Sequence, residues 1–503
     1  MGINEPPTGE PKTKEPNQPA RGKKAFGLNV AWNTLNFFLG YFLAIVTSIV
    51  IARGLGPSRA ALVSYVTWLT DTGGMLGGLG YIRGIERFVA QERGAQNHSN
   101  VTFIIRRSMA GIAGLSTLVA VVATGIGFYQ LSNQDAWHPA YFPIIFSLIL
   151  LNGIWLGTQA GSRGLYNFGA IAKSAIVRGI LTLLIWWWMV ESGLPVYSLF
   201  AVSALLSVWA CWTVLKSSGL IEWMRKPYEN NWELWGKIKK YVLQVSPIIV
   251  ADTIVLQRTE LLFLAHYSIK PHIAFYNYAA ALSMLVARIP LSFTAVLFPI
   301  FARRIGEGKG DEARSLYSFS SKWVLAVSLP LGLAAAALSK PLVVALFGNA
   351  FAPAADLLPI LAVASILVPL GGPAASYLHS TDNQLFLMKL APFTISVNLL
   401  LDLILISKYD MVGAAWANML SQLLAIAAVL LFVQLKLGLR LPWADIGKIC
   451  IAATFYYFIC LYLTQFGFTG LILGALSITA YIALLFATGV FREEISWLKR
   501  KAA

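Results

Sequence analysis

Apolar runs of about twenty residues, separated by short polar segments, fill the chain from residue 27 to residue 490. A membrane-spanning helix needs roughly 20 mainly apolar residues, and that length predicts about fourteen transmembrane helices. The first six are 27–50, 60–82, 108–129, 141–160, 170–190 and 195–215. The second six are 241–266, 273–301, 323–339, 354–378, 387–407 and 411–435, and a last pair covers 445–464 and 468–490. The expected architecture is therefore an all-α polytopic membrane protein. Residues 216–240, KSSGLIEWMRKPYENNWELWGKIKK, make the longest interior break and divide it into two six-helix lobes, 27–215 and 241–435. Trp232, Trp235 and Ile238 recur in this connector at helical spacing, which predicts a short helix on the membrane surface. Helices 13 and 14 (445–490) are additional, with a disordered polar tail at 1–26 and a polar end at 491–503.

Composition agrees with this pattern. The chain is 57% hydrophobic, and only 12% of its residues are charged, with a mean hydropathy of +0.66. Soluble domains carry about 25% charged residues. The net charge of +16 would suit nucleic acid, but the cations sit in clusters between apolar runs, as the positive-inside rule expects. Nucleic acid is excluded as a partner on that ground. Segments assigned to the cytoplasm hold 32 Lys and Arg, and the outer loops hold 5 (Arg53, Arg59, Lys270, Lys340 and Lys408). That asymmetry predicts a multi-pass protein of the cytoplasmic membrane with both termini inside. The outer loops are too short for a folded catalytic domain. Three cysteines, Cys211, Cys450 and Cys460, lie inside apolar runs without metal-ligand spacing, and the five histidines are scattered. A P-loop, a zinc-protease helix and a nucleophile elbow are all missing from the sequence. The chain reads as a secondary transporter, not an enzyme, with no cofactor beyond a coupling Na⁺ or H⁺.

The polar residues inside the apolar runs are the candidate chemistry. Asn29, Asn33 and Asn36 form a stripe on helix 1, Asp71 lies mid-span on helix 2, and Asn398 and Asp402 share a face of helix 11. Asn277, Arg288 and Ser292 share a face of helix 8, which Pro290 is expected to kink. In helix 7, Asp252, Gln257 and Glu260 fall on one arc of a continuous helix, and Arg258 falls about 100° outside it. Such groups either glue helices together or line a cavity. Six ionisable groups on four helices (Asp71, Asp252, Arg258, Glu260, Arg288 and Asp402) exceed what packing requires. Arg258 and Glu260 are therefore expected to face a cavity.

Several stretches resemble the polysaccharide-exporter (O-antigen/oligosaccharide flippase) branch of the multidrug/oligosaccharidyl-lipid/polysaccharide flippase superfamily. They are IARGLGPSRAALVSYV (51–66), GGLGYIRGIERFVAQ (77–91), FYNYAAALSML (275–285), LFPIFARRIGEG (297–308), ALFGNAFAPAADLLPILA (345–362) and YDMVGAAWANMLSQ (409–422). The turn SIKPHIA (268–274) lacks the family's usual glycine, and Asp410-Met411-Val412 departs from its pattern. The resemblance implies two lobes in a V around a central cavity, working by alternating access. Its implied cargo is a polyprenyl-pyrophosphate-linked oligosaccharide repeat unit for surface polysaccharide, flipped across the bilayer beside other assembly proteins. Arg258 and Arg288 would then meet the pyrophosphate, Arg53 and Arg83 the two mouths, and Asn33, Asn36 and Asn277 the glycan. Asp71, Asp252, Glu260 and Asp402, with Asn398, would bind a coupling ion or hold the arginines. Helices 13 and 14 would offer a groove to the prenyl tail. The rival reading is a cation-coupled drug or metabolite antiporter of the same superfamily.

Overall fold

The computed structural model describes residues 18–131, 138–256, 258–294, 297–381 and 383–491. All regular structure among them is helical. Lobe one comprises α1 (Gln18–Gly94), α2 (His98–Leu131), α3 (Tyr141–Gly164), α4 (Phe168–Glu191) and α5 (Val196–Ser217). A short α6 (Leu220–Arg225) leads to α7 (Trp232–Leu256), α8 (Glu260–Tyr267), α9 (Lys270–Thr294) and α10 (Leu297–Gly306). Then come α11 (Gly310–Ala337), α12 (Ser339–Phe347), α13 (Leu358–Ser380), α14 (Gln384–Leu401) and α15 (Ser407–Leu437). The last elements are α16 (Trp443–Leu463), α17 (Gly467–Leu476) and α18 (Ile478–Ala487). Ten helical stretches are long and apolar enough to cross a membrane. Two of them, within α1 and across α14–α15, each hold two predicted spans. Spans 7 and 8 fall outside that set: span 7 is interrupted after Leu256, and span 8 carries Asn277, Arg288 and two tyrosines within its apolar run.

The doubled spans turn at sharp kinks. Gly56 in α1 has φ 70°, which only glycine adopts without strain, and Pro57 follows it. The corresponding turn in α15 uses Asp410 at φ 54°, whose Oδ2 lies 2.6 Å from His272 Nδ1 on α9. Three residues on, Gly413 packs so closely that a Cβ would lie 2.0 Å from the Leu405 carbonyl. The glycine of the YDMVGAAW stretch is thus a contact requirement.

The connector differs from expectation. Trp232, Trp235 and Ile238 are the first turns of α7, continuous with span 7. Trp235 and Ile238 are buried against Ile85, Phe103 and Val89 of lobe one, and only Trp232 is exposed. Surface amphipathicity and this packing have the same period, so spacing alone did not separate them. Cys450 likewise proves exposed, while Cys211 and Cys460 are buried.

Helices 13 and 14 are fastened to lobe two through α11. The buried Lys322 ammonium lies 3.3 Å from Asp445 Oδ2 and donates to the Val490 carbonyl at 3.0 Å. Apolar residues of α16 such as Ile451, Phe455 and Phe458 remain exposed. In a bilayer they meet lipid tails.

The lobes touch at both ends. At the end opposite the Lys/Arg-rich segments, one core mixes Ile51, Tyr65 and Val66 of lobe one with Leu261, Tyr276 and Phe351 of lobe two. Arg53 donates there to the Ala345 and Leu346 carbonyls at 2.5 and 2.9 Å. Gln130 accepts from the Tyr65 hydroxyl and donates to the Leu262 carbonyl at 3.3 Å. At the basic end α1 breaks at Leu79 (φ 30°), and the Gly80 N–H is 3.4 Å from Ser246 Oγ on α7. A Cβ on Gly80 would strike the Val242 carbonyl, so glycine is what lets the two helices close there.

Candidate functional site: a broken helix between two polar clusters

Between those closures, α1 presents Asp71. It lies seven residues from Ser64 at one contact and nine from Gly80 at the other, about 10–14 Å along a helix. The Asp71 side chain is solvent-accessible although it lies between the two interlobe contacts. Those two facts together describe an internal, water-reachable space. Asn152 on α3 donates to Asp71 Oδ1 at 3.1 Å and to the Thr70 carbonyl at 3.2 Å. It comes that close because Gly74 has no side chain; a Cβ there would sit 2.5 Å from that of Asn152. Here the packing role and the chemical role of a small residue coincide.

Span 7 supplies the opposing charge by breaking. α7 stops at Leu256, α8 starts at Glu260, and Arg258 between them takes φ 60°. An L-residue pays roughly 1–2 kcal/mol for the left-handed region. The reward is position: the half-buried Arg258 donates through Nη1 to Asn277 Oδ1 at 2.5 Å and to the Asn277 carbonyl at 3.3 Å. Asn277 Nδ2 then donates to Ser64 Oγ at 2.9 Å, carrying the chain of bonds from lobe two into lobe one. The guanidiniums of Arg258 and Arg178 both lie in electrostatic range of Asp71.

Arg178 was missing from the sequence reading, which counted it with the cytoplasmic cations. It lies ten residues into α4, about 15 Å from that helix's start. Its guanidinium stacks over Trp155 at 4.8 Å and approaches Ser207 Oγ at 3.5 Å. The signal was available: residue 178 falls inside the apolar run 170–190.

Glu260 corrects the expectation that it would line the cavity beside Arg258. Two positions after Arg258, but beyond the break, it points into lobe two and is wholly buried, as is Asp402. Asn418 on α15 donates to Glu260 Oε1 at 2.9 Å. The Thr259 hydroxyl lies 3.1 Å from Asn398 Oδ1 and 3.3 Å from Asp402 Oδ2, and Asn398 donates to Ser421 Oγ at 3.1 Å. Glu260 Oε2 and Asp402 Oδ1 accept no hydrogen bond of good geometry among the described residues, and the buried Tyr276 hydroxyl lies beside Glu260. Asp402 opens a short π-helical segment, Asp402–Ile406, a local widening often found at functional positions. Two carboxylates enclosed together repel unless they share a proton or a cation. The set of oxygens suits H⁺ or a hard cation such as Na⁺.

The other expected residues distribute as follows. Arg288 lies over the Tyr41 ring at 4.5 Å, joining α9 to α1. Arg53 is committed to the interlobe closure described above. Arg83 is largely exposed at the basic end, 3.3 Å from Glu86, which also takes Arg163 at 2.6 Å; it is not part of the cluster. Asn36 is half-buried on α1. The side chains of Asn29, Asn33 and Asp252 lie outside the described residues.

Comparisons with known proteins bear on this geometry. Residues 257–492 match the family described as "Lipid II flippase MurJ". No curated protein matches the chain by sequence. Among solved structures, a lipid II flippase MurJ in an inward closed conformation superposes with a TM-score of 0.71 at 15% identity, covering 93% of this chain and all (100%) of that one. An inward-facing multidrug resistance MATE transporter superposes with a TM-score of 0.63 at 14% identity, covering 82% and 98%. A transporter of the same superfamily from Pyrococcus furiosus, described as having a binding pocket of reverse polarity, gives 0.55 at 16%, covering 83% and 96%. At these identities the likeness is one of fold. The chain is an all-helical membrane protein with the two-lobed architecture those transporters share.

Proposed function

We propose that this protein is a secondary transporter that flips a polyprenyl-pyrophosphate-linked saccharide between membrane leaflets, exposing its interlobe space to each side in turn. The observation that carries this reading is Arg258, held in a helix break at membrane depth, half-buried and in electrostatic range of the solvent-accessible Asp71. Arg178 lies in range of the same carboxylate from lobe one. A pyrophosphate leaving water needs charge-assisted donors, and the planar guanidinium fork binds phosphate oxygens bidentately. Asp71 partly balances the two arginines while the site is empty, and cargo oxygens then draw Arg258 from Asn277 and Arg178 from Ser207. Arg288, Asn277 and Asn36 are the candidate saccharide contacts. The exposed apolar face of α16 offers the prenyl tail a path outside the lobes.

Alternation follows from the two closures. Opening the basic end separates Gly80 from Ser246, and opening the other end releases Arg53 from its carbonyls and Asn277 from Ser64. In this reading the Glu260–Asp402 cluster takes up H⁺ or Na⁺, and its only separation from Arg258 is the break itself. Binding at one side of that break therefore biases the other. The match over 257–492 favours a lipid II type of cargo, and the stretches quoted from both lobes favour a polysaccharide repeat unit; both carry the same pyrophosphate handle. A cation-coupled multidrug or metabolite antiporter is the second reading, favoured by the likeness to MATE transporters and by Asp71 at the cavity wall.

One experiment separates the three. The gene is deleted or depleted, the polyprenyl-linked saccharides are extracted, and they are measured by mass spectrometry beside a complemented strain. Complete repeat units accumulating with loss of surface polysaccharide mean the repeat-unit flippase. Accumulating lipid II with cell lysis means the peptidoglycan precursor. An unchanged lipid profile with hypersensitivity to cationic drugs would sink the flippase reading and leave the antiporter.

A further inference from the structure

A second recess lies within lobe one, away from the residues above. It has a volume of about 470 Å³ and is lined by Trp32 of α1, Asn167 to Val177 around the start of α4, and Trp209, Thr213 and Ser217 of α5. That size lies within the range of small-ligand sites, about 300–1,000 Å³. We infer that this recess binds the headgroup of an anionic phospholipid from the leaflet at the protein's basic end. The inference is independent of what the interlobe space transports.

The charge is one-sided. Lys173 is the only ionisable residue of the lining, and no carboxylate pairs with it among the described residues. Its ammonium sits 5.4 Å from the centre of the Trp32 ring, which orients it without neutralising it. The neighbouring hydroxyls are already committed. Ser174 and Thr213 lie 2.8 Å apart, and both donate to the Ala210 carbonyl, at 3.2 and 2.9 Å. Asn167 caps α4 by accepting from the Ala170 N–H at 3.2 Å and donates to the Ser217 carbonyl at 3.2 Å. What remains for a ligand is the Lys173 ammonium beside the first turn of α4, both favouring an anion.

The remainder of the recess calls for an amphiphile. Val177, one turn past Lys173, and Trp209 are 41% and 38% exposed. A soluble anion would leave them bare, whereas an acyl chain covers them. Trp32 and Trp209 are the residue type that settles where apolar and wet surfaces meet. Trp32 lies against the helix start at Gly169, where a Cβ would touch the indole at 3.4 Å. The site is at the end rich in Lys and Arg, where anionic lipids draw basic segments, and RGKK (21–24) precedes Trp32 on the same helix. All the lining residues belong to lobe one, so an occupant does not depend on the lobes meeting.

The test is native mass spectrometry of the full-length protein released from nanodiscs holding phosphatidylglycerol and phosphatidylcholine in equal parts. The wild type should keep phosphatidylglycerol preferentially. Lys173→Ala should lower that retention about fivefold, the worth of one cation near an anionic surface, and Lys173→Arg should restore it. Gly169→Val, whose added methyls press on the Trp32 indole and narrow the recess, should act like Lys173→Ala and guards against a folding defect in either one, with melting temperature as the control. Equal retention of both lipids by the wild type overturns the inference, as does unchanged preference in folded Lys173→Ala and Gly169→Val. Displacement by millimolar inorganic phosphate would instead mean a free-anion site. Preferential displacement by polyprenyl phosphate would assign the recess to the cargo path. Either result rejects the phospholipid.

Discussion

Arg258 and Glu260 are two residues apart and serve two different environments. Arg258 holds Asn277, which crosses the lobe interface to Ser64, and lies in electrostatic range of the solvent-accessible Asp71. Glu260 is sealed inside lobe two with Asp402, Asn398, Asn418 and Thr259. The open cluster includes a solvent-accessible carboxylate and a half-buried guanidinium, so a ligand arriving from water can reach it. The sealed cluster is fully buried and brings two carboxylates together with two oxygens that accept no well-formed hydrogen bond, a setting that suits a proton or a bare cation. The break at Arg258 makes this division possible. In an uninterrupted helix these side chains would be fixed about 200° apart on one rod, and neither cluster could move without the other helix end following rigidly.

The largest effect is expected from removing the open cluster's charge. Arg258→Ala should abolish transport while the protein still inserts and folds. Truncating one member of a desolvated charge pair costs about 2–5 kcal/mol, roughly 30-fold or more in cargo affinity. Full transport in this variant would end the assignment of Arg258. Next comes the sealed cluster: Asp402→Asn or Glu260→Gln should remove dependence of transport on the Na⁺ or H⁺ gradient while binding of labelled cargo survives. Loss of cargo binding with the ion dependence intact would reverse the roles of the two clusters. Arg178→Ala should weaken cargo binding less than Arg258→Ala, by about tenfold, because Trp155 and Ser207 hold that guanidinium toward lobe one.

The smallest effect tests the break itself. Arg258→Gly and Arg258→Ala both lose the charge, but glycine tolerates φ 60° and alanine does not. The glycine variant should be the more stable by about 1 kcal/mol in thermal unfolding. An alanine variant of equal or greater stability would mean that the helix can run through this position.

These clusters were unequally legible in the sequence. Lipid imposes a length on each span, so the spans could be read from apolar runs, including the paired ones that turn at Gly56 and Asp410. Polar residues at membrane depth identified Asp71, Arg258, Glu260 and Asp402 as candidates for the same reason. Their grouping was not legible, because assigning faces assumed a continuous helix 7, and one left-handed residue cancels that arithmetic. No glycine or proline marks the break; Arg258 itself adopts the strained backbone. Arg178 was missed because a cation near a span's basic end was counted as positive-inside signal, although its depth in the run was readable. Trp235 and Ile238 were given to the membrane surface because helical spacing cannot tell lipid from a neighbouring lobe.

The open cluster has an electrical consequence. In the proposed reading, Arg178 and Arg258 lie in range of a single Asp71, so the unloaded interlobe space would carry surplus positive charge at a depth where the transmembrane voltage falls. Carrying one elementary charge through that field is worth about 2.3 kcal/mol per 100 mV. A pyrophosphate ligand would reverse the sign of the enclosed charge. Loaded and empty passages would then respond to voltage in opposite directions, and the resting potential would set which of the two limits the cycle.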